Sequence, residues 1–284
     1  GLAWHNINYS ILQQYQDMFG QTEYRTQNST KYSTLLPSVS WIYDNSVFGF
    51  TGPVDGLRKN TTLTVSPGYG SNKLIFQTIK SDIRKYWRFG KDYTFAVRGF
   101  FGKSFNRDKQ KFFLGGVPYL LSGVGETNGQ KDGSNFREVL LDTTNETLIH
   151  DLYFTEYAWP LRGARFAERF GSNTALVNME IRFPFINYLA LGFPLKMIFG
   201  NIRGHAFIDF GAAWDEASEF NDVKWPRRYS EDPALNNFSP WVTTTGLGTK
   251  INLGYFLLKI EAAWDKKSSG YSKPQWYFSL GPDW

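Results

Sequence analysis

From Thr174 the chain reads TALVNMEIRFPF, and its side chains sort by parity into two unlike rows. Ala175, Val177, Met179, Ile181, Phe183 and Phe185 make one; Thr174, Leu176, Asn178, Glu180, Arg182 and Pro184 make the other. Successive side chains of a β-strand point to opposite faces, so this strand is apolar on one side and carries both signs of charge on the other. The pattern returns three times. Ala206, Ile208, Phe210, Ala212 and Trp214 oppose His205, Phe207, Asp209 and Gly211. Phe256, Leu258, Ile260, Ala262 and Trp264 oppose Leu257, Lys259, Glu261 and Ala263. Trp276, Phe278, Leu280 and Trp284 oppose Gln275, Tyr277, Ser279 and Asp283. Strands of soluble sandwiches run about 5–6 residues, whereas a bilayer-crossing strand needs about 9–11 with its apolar side toward lipid. The runs here have the second length. Trp214, Trp264, Trp276 and Trp284 lie near the ends of the apolar rows, where an interfacial girdle belongs. In lipid every backbone N–H and C=O needs a partner, so such strands must close on themselves. The expected fold is an all-β, antiparallel transmembrane β-barrel.

Composition narrows the alternatives. Aromatic residues are 18% of the 284, enough to bury surface, which excludes a disordered chain. Without cysteine there is no disulfide scaffold, thiolate metal site or thiol catalysis. The mean hydropathy is −0.38, and the longest apolar stretch, Tyr188 to Gly200, is too short for a spanning helix and contains Pro194 and Lys196. The net charge of +5 is spread along the chain without a basic run, so nucleic acid is not an expected partner. The remaining rival is a soluble, aromatic-rich carbohydrate-binding domain, which would dissolve without detergent. The opening GLAWHNINYS has no initiator Met and no leader pattern, as expected of a processed or truncated chain or a piece of a longer one.

The alternation places strands near 6–19, 38–51, 57–70, 72–87, 91–106, 173–186, 202–214, 241–253, 255–265 and 274–284, and a segment at 148–157 could add a hairpin. The expectation is therefore one barrel domain over 1–284 with about 10–12 strands. Outer-membrane barrels keep periplasmic turns short and external loops long. The tight turns at 88–91 and Gly254 then face the periplasm, with both ends of the chain. The long connections 107–172 and 215–240 face outward. A stretch as long as 107–172 is expected to be functional or disordered, here an external or lumen-inserted loop.

Four segments in this order resemble a known family: FFLGG at Phe112 to Gly116, PLRGARF at Pro160 to Phe166, GSNTALVNMEIRFPF at Gly171 to Phe185, and HAFIDFGAAWD at His205 to Asp215. Together they are similar to the C-terminal barrel of the BamA/TamA superfamily, the bacterial surface antigen domain, over roughly 39–284. Residues 6–20 also resemble barrels of that superfamily that follow periplasmic β-propeller domains. Family barrels have sixteen strands, so the resemblance implies either strands missing on the N-terminal side or a short-barrel variant. No POTRA-type periplasmic module is recognisable in the chain, which bears on full insertase activity.

The resemblance implies that the Arg-Gly loop lies in the lumen, its arginine paired to acids on the two strands that follow. Carried over, Arg162 and Gly163 sit at the loop tip and Arg162 meets Glu180 and Asp209. The parity agrees, because Glu180 and Asp209 fall on the face opposite the apolar rows. A guanidinium can bridge two carboxylates through its planar fork. The plainer reading is a set of solvated lumen charges. The ending WYFSLGPDW resembles an outer-membrane targeting signal, with Trp276, Phe278, Leu280 and Trp284 outward; it can equally be the last strand of any barrel.

Chemistry is sparse. His5, His150 and His205 form no metal-ligand spacing, no GxSxG elbow is present, and Arg162 would keep Glu180 and Asp209 both ionised, which is wrong for a glycosidase acid. No cofactor or catalytic residue is expected. Lys224-Trp225-Pro226-Arg227-Arg228-Tyr229 could touch lipopolysaccharide phosphates, although a solvated loop explains it as well. By resemblance, the barrel sits in the bacterial outer membrane with lipid and lipopolysaccharide around it. It would help insert or translocate client outer-membrane proteins without enzymatic chemistry, with periplasmic subunits as further partners. Weak closure between first and last strands and a locally thinned bilayer would supply the mechanism. The alternative is a structural anchor or passive pore subunit of a larger surface complex.

Overall fold

A computed structural model describes residues 1–16, 22–69, 73–118, 120–124, 155–158, 160–164, 168–191, 197–215, 217, 241–254, 256–267 and 270–282. Among them the secondary structure is β throughout. The N-terminal half holds β1 (Leu2–Gln16), β2 (Thr22–Asp44), β3 (Val47–Gly49), β4 (Gly52–Pro67), β5 (Ile75–Phe89) and β6 (Tyr93–Phe105). The excursion that follows holds β7 (Phe112–Leu114), β8 (Leu120–Val124), β9 (Glu156–Ala158) and β10 (Arg169–Gly171). The remainder comprises β11 (Asn173–Leu191), β12 (Met197–Trp214), β13 (Trp241–Asn252), β14 (Leu257–Lys267), β15 (Gly270–Tyr271) and β16 (Gln275–Gly281).

One antiparallel sheet follows the chain in the order β1-β2-β4-β5-β6-β11-β12-β13-β14-β16-β8, with β3 and β15 as short flaps on β4 and β14. Its outer strands are β1 and β8, and no pairing joins them among the described residues. β6 pairs directly with β11, Phe95 opposite Ile181 and Lys103 opposite Asn173, so the excursion between them starts and ends at the same end of the sheet; of its strands β8 rejoins that sheet, beside β16.

The side chains are arranged inside out relative to a soluble protein. Val177, Ile181, Ile208 and Leu247 are 39%, 47%, 41% and 55% exposed, while Asn178, Glu180, Asp209 and Thr244 are each 0% exposed. The apolar rows form the outer face and the polar rows the covered inner one. Aromatic residues gather where strands turn: Trp87 stacks on Phe95 and Phe89 on Tyr93, each pair at 5.6 Å, around the β5–β6 turn. Lys85 and Lys103 lean their ammonium groups over Trp87 and Phe105, at 5.6 and 5.1 Å, keeping their charge toward the strand ends.

What covers the inner face is the excursion itself. β10, β7 and β9 make a second, three-stranded sheet, with β7 and β9 parallel. Leu114, Ala158, Leu161 and Ala164 from the excursion pack against Leu176, Ala213 and Val242 of β11, β12 and β13 in one buried cluster. The inner face is thus apolar at one level, under these residues, and ionic at the next.

Two expectations change in detail. The second strand begins at Thr22 rather than 38, its first part pairing with β1 from Thr22 opposite Gln16 to Pro37 opposite Leu2. Of the segment 148–157, residues 148–154 lie outside the described set, and Glu156–Ala158 pairs with β7 instead of forming a hairpin of its own. The Gly70-Ser71-Asn72 turn also lies outside the described residues.

Candidate functional site

Inner-face positions recur every second residue, so register alone decides which charges meet. Asn178, Glu180 and Arg182 climb β11; Asp209, Phe207 and His205 descend β12 directly opposite them. On β13, Thr244, Gly246 and Gly248 oppose those same three β12 residues, and Gly248 in turn faces Glu261 of β14. The polar rows of four strands therefore converge on one patch.

Arg162 enters this patch from the excursion and is 2% exposed. Its Nε and Nη2 donate to the two carboxylate oxygens of Asp209, both at 2.9 Å, in a fork-to-fork pair. Its Nη1 donates to Glu180 Oε2 and to Glu261 Oε1, each at 3.0 Å. The backbone N–H of Arg162 also reaches Asp209, at 3.2 Å. The guanidinium lies 3.5 Å above the centre of the Phe207 ring. Glu180 accepts further bonds from Arg182, at 2.7 Å, and from Lys250. His205 Nε2 is 2.9 Å from Glu261. Three carboxylates, Glu180, Asp209 and Glu261, thus face three cations, Arg162, Arg182 and Lys250. A lone buried ion costs several kcal/mol of desolvation, and this mutual pairing is what offsets it.

Glycine makes the geometry possible at two places. A Cβ on Gly246 would lie 2.2 Å from the Phe207 ring, so only glycine lets that ring lie flat beneath the guanidinium. Gly163 has φ of 88°, and a Cβ there would meet Ala263 at 3.2 Å, so the loop tip turns sharply against β14. Its N–H donates to the Tyr277 hydroxyl on β16 at 2.9 Å. On the other side of the tip, Leu161 N–H donates to Gly116 O at 3.0 Å, and Pro160 O accepts from Asn178 Nδ2 at 2.8 Å. The FFLGG and PLRGARF segments are therefore bonded to each other and to the wall. At the rim, Lys111 Nζ donates to Asp215 at 2.8 Å, tying the start of the excursion to the end of β12.

The structure brings Arg162, Gly163, Glu180 and Asp209 into one cluster. Sequence reasoning missed Glu261, Lys250, Arg182 and Phe207 as its other members. The signal was available in parity: all four lie on polar rows, and Gly246 and Gly248 alternate in GLGTK where neighbouring rings need space. Trp276 is exposed, and Phe278 and Leu280 are half-buried, alternating with buried Gln275, Tyr277 and Ser279. Trp284 and the cluster at 224–229 lie outside the described residues. Among the described residues no group of three or more histidine or acidic side chains is placed to hold a metal ion.

A family profile described as the Omp85 superfamily domain matches residues 1–284. Among solved structures, BamA from Haemophilus ducreyi lacking POTRA domains 1–3 aligns with a TM-score of 0.57 at 12% identity, over 99% of this chain and 50% of that one. CdiB from Acinetobacter baumannii aligns with a TM-score of 0.42 at 11% identity, over 98% and 38%. The chain thus spans half the length of the BamA structure it matches. No curated protein sequence gives a significant match.

Proposed function

The chain belongs to the Omp85 superfamily of outer-membrane β-barrels, and from that premise we propose that it assists the insertion or translocation of proteins at the outer membrane, without enzymatic chemistry. The observation that carries this reading is the clamp of Arg162 by Asp209, Glu180 and Glu261. A passive pore needs a wet, open lumen. Here the excursion packs an apolar layer onto the inner face of β11–β13 and sends Arg162 into the acids of β11, β12 and β14. An assembly factor instead needs a rigid wall beside a strand edge. The clamp supplies it, and Gly163 carries the contact across to β16.

In this reading the turns at Phe89–Tyr93 and around Gly254 face the periplasm. Residues 107–172 enter the lumen from outside as part of a single barrel domain over 1–284. The outer face meets lipid and lipopolysaccharide, and Trp276, Phe278, Leu280 and Trp284 form the targeting strand. Client outer-membrane proteins and periplasmic subunits are the partners.

A second reading, an anchor or pore subunit of a larger complex, draws on the outer face of β4 and β5. Thr61 and Ser81 share a hydroxyl hydrogen bond of 3.0 Å there, in a row that also holds Lys59, where apolar residues would suit lipid better. Reconstitution separates the two. Purified protein in liposomes should speed the folding of a urea-unfolded outer-membrane client, read by heat-modifiable gel mobility, and Arg162→Ala should lose the effect. A steady large conductance without any acceleration would favour the pore.

A further inference from the structure

We propose that residues 45–56 form a lid across the inner face, latched to the far wall, that gates the access of water to the ionic cluster; that it opens toward the periplasm rests on the orientation proposed above.

β4 pairs with β5 from Pro67 to Gly56 and then leaves the sheet. Its first residues fold back on β3, Phe48 opposite Pro53 and Gly49 opposite Gly52, so Phe50 and Thr51 form a tight tip. This hairpin does not stay beside β4. Pro53 O accepts from Arg182 Nη1 of β11 at 2.8 Å, and Phe50 O accepts from Asn252 Nδ2 of β13. Four strands, β5, β6, β11 and β12, lie between β4 and β13 in the sheet, so the hairpin bridges the inner face rather than lining it.

The base of the hairpin is fixed and its tip is lightly held. Asn45 N–H donates to Leu57 O at 3.1 Å, and Leu57 N–H donates to Asn45 Oδ1 at 2.7 Å. Between them Gly56 turns with φ of 104°, where a Cβ would lie 2.5 Å from Asn45 O, so the bend requires glycine. The tip is different. Val47, Phe48 and Phe50 are 56%, 64% and 50% exposed, and no residue of 45–56 joins a buried apolar cluster among the described residues. Segments with few buried apolar contacts are the ones that open locally. The two bonds to backbone carbonyls are the latch.

Beneath the latch lies the site already described. Arg182 donates to Glu180 at 2.7 Å as well as to Pro53. Lys250, another donor to Glu180, is as deeply buried. Along β11, Leu176 under the apolar layer and Arg182 under the lid flank Glu180 on opposite sides. The excursion therefore covers the cluster from one end and the lid covers it from the other. Opening the lid would free one Arg182 donor and admit water, and charges attract less strongly in a wet site. The lid thus sets whether the clamp is dry and rigid or wet and loose.

The absence of cysteine makes labelling clean. Thr94 is buried on the inner row of β6, opposite Arg182, and Thr78 is buried toward the other end of β5. In the full protein in detergent, Thr94→Cys should react slowly with a charged methanethiosulfonate. Replacing residues 47–54 by an Asn-Gly turn should speed that reaction at least tenfold, and Asn252→Ala should speed it several-fold. Thr78→Cys should stay slow in every background. Equal rates at Thr94→Cys with and without the lid, or a matching rise at Thr78→Cys, would overturn the proposal. If the shortened variant does not fold, judged by heat-modifiable mobility, Asn252→Ala alone decides, and an unchanged rate counts against the lid. Orientation is tested separately by an epitope in the turn at Gly90–Lys91: antibody binding to intact cells would reverse the orientation and leave the lid standing.

Discussion

At the scale of single residues, Arg162 is costly to bury and costlier to remove. Truncation leaves Asp209 and Glu180 buried with fewer partners, the situation in which breaking a buried pair costs about 3–5 kcal/mol. Arg162→Ala should lower the urea midpoint of the folded protein in detergent accordingly. Arg162→Glu should be worse, and partly rescued by Asp209→Arg. Asp215, beyond the end of β12, shows the same logic with a pH handle. Burial works against its ionised form, but hydrogen bonds and charge from Lys111, with the Ser172 backbone, outweigh burial and hold its carboxyl below the usual range. A carboxyl depressed in the folded state stabilises above its unfolded pKa of about 4 and loses that contribution as pH falls through the folded value. Asp215→Asn should therefore be less stable than the parent at neutral pH and match it in strong acid; an equal gap at both would contradict the assignment. The pairing partners of Arg162 on β11 and β12 could be read from parity joined to the family motif. Glu261 and Lys250 lie on polar rows as well, but no family motif pairs them with the arginine, so parity alone marks them as inward-facing and not as its partners.

Elements were legible in proportion to the contrast between their two faces. β11, β12 and β14 alternate sharply, and the expected spans locate all three, although β11 runs on to Leu191 past the expected 186 and β12 begins at Met197 ahead of the expected 202. The first part of β2 reads TEYRTQNSTKYSTLL, polar on both rows, so period two leaves no trace in it although its backbone pairs throughout with β1. β8 was invisible for a different reason: five residues are too few to show a period. Where contrast is high it carries the energetics too. Ile181 is 47% exposed on the outer face, and a lysine on a lipid-facing barrel position costs about 2–4 kcal/mol at mid-bilayer. Ile181→Lys should slow refolding into phospholipid vesicles while leaving strand content in mild detergent unchanged. A water-soluble domain would be indifferent to the vesicle.

For the whole molecule, the outcome depends on how strands reach the membrane and in what order they find one another. Deleting Trp284 should reduce the fraction assembled in the outer membrane, measured by membrane fractionation and protease resistance; normal assembly would reduce the terminal segment to an ordinary last strand. Alternation bounds the strand number only for the residues it covers, and this chain spans half the length of the BamA structure it matches. The three acids that hold Arg162 lie 18, 47 and 99 residues further along the chain. No fragment of the sheet can satisfy that arginine, and a one-residue slip in β12 or β14 would turn its acid out toward hydrocarbon. The clamp thus acts as a proofreader of folding: only when β11, β12 and β14 have docked in register does the cation fall silent.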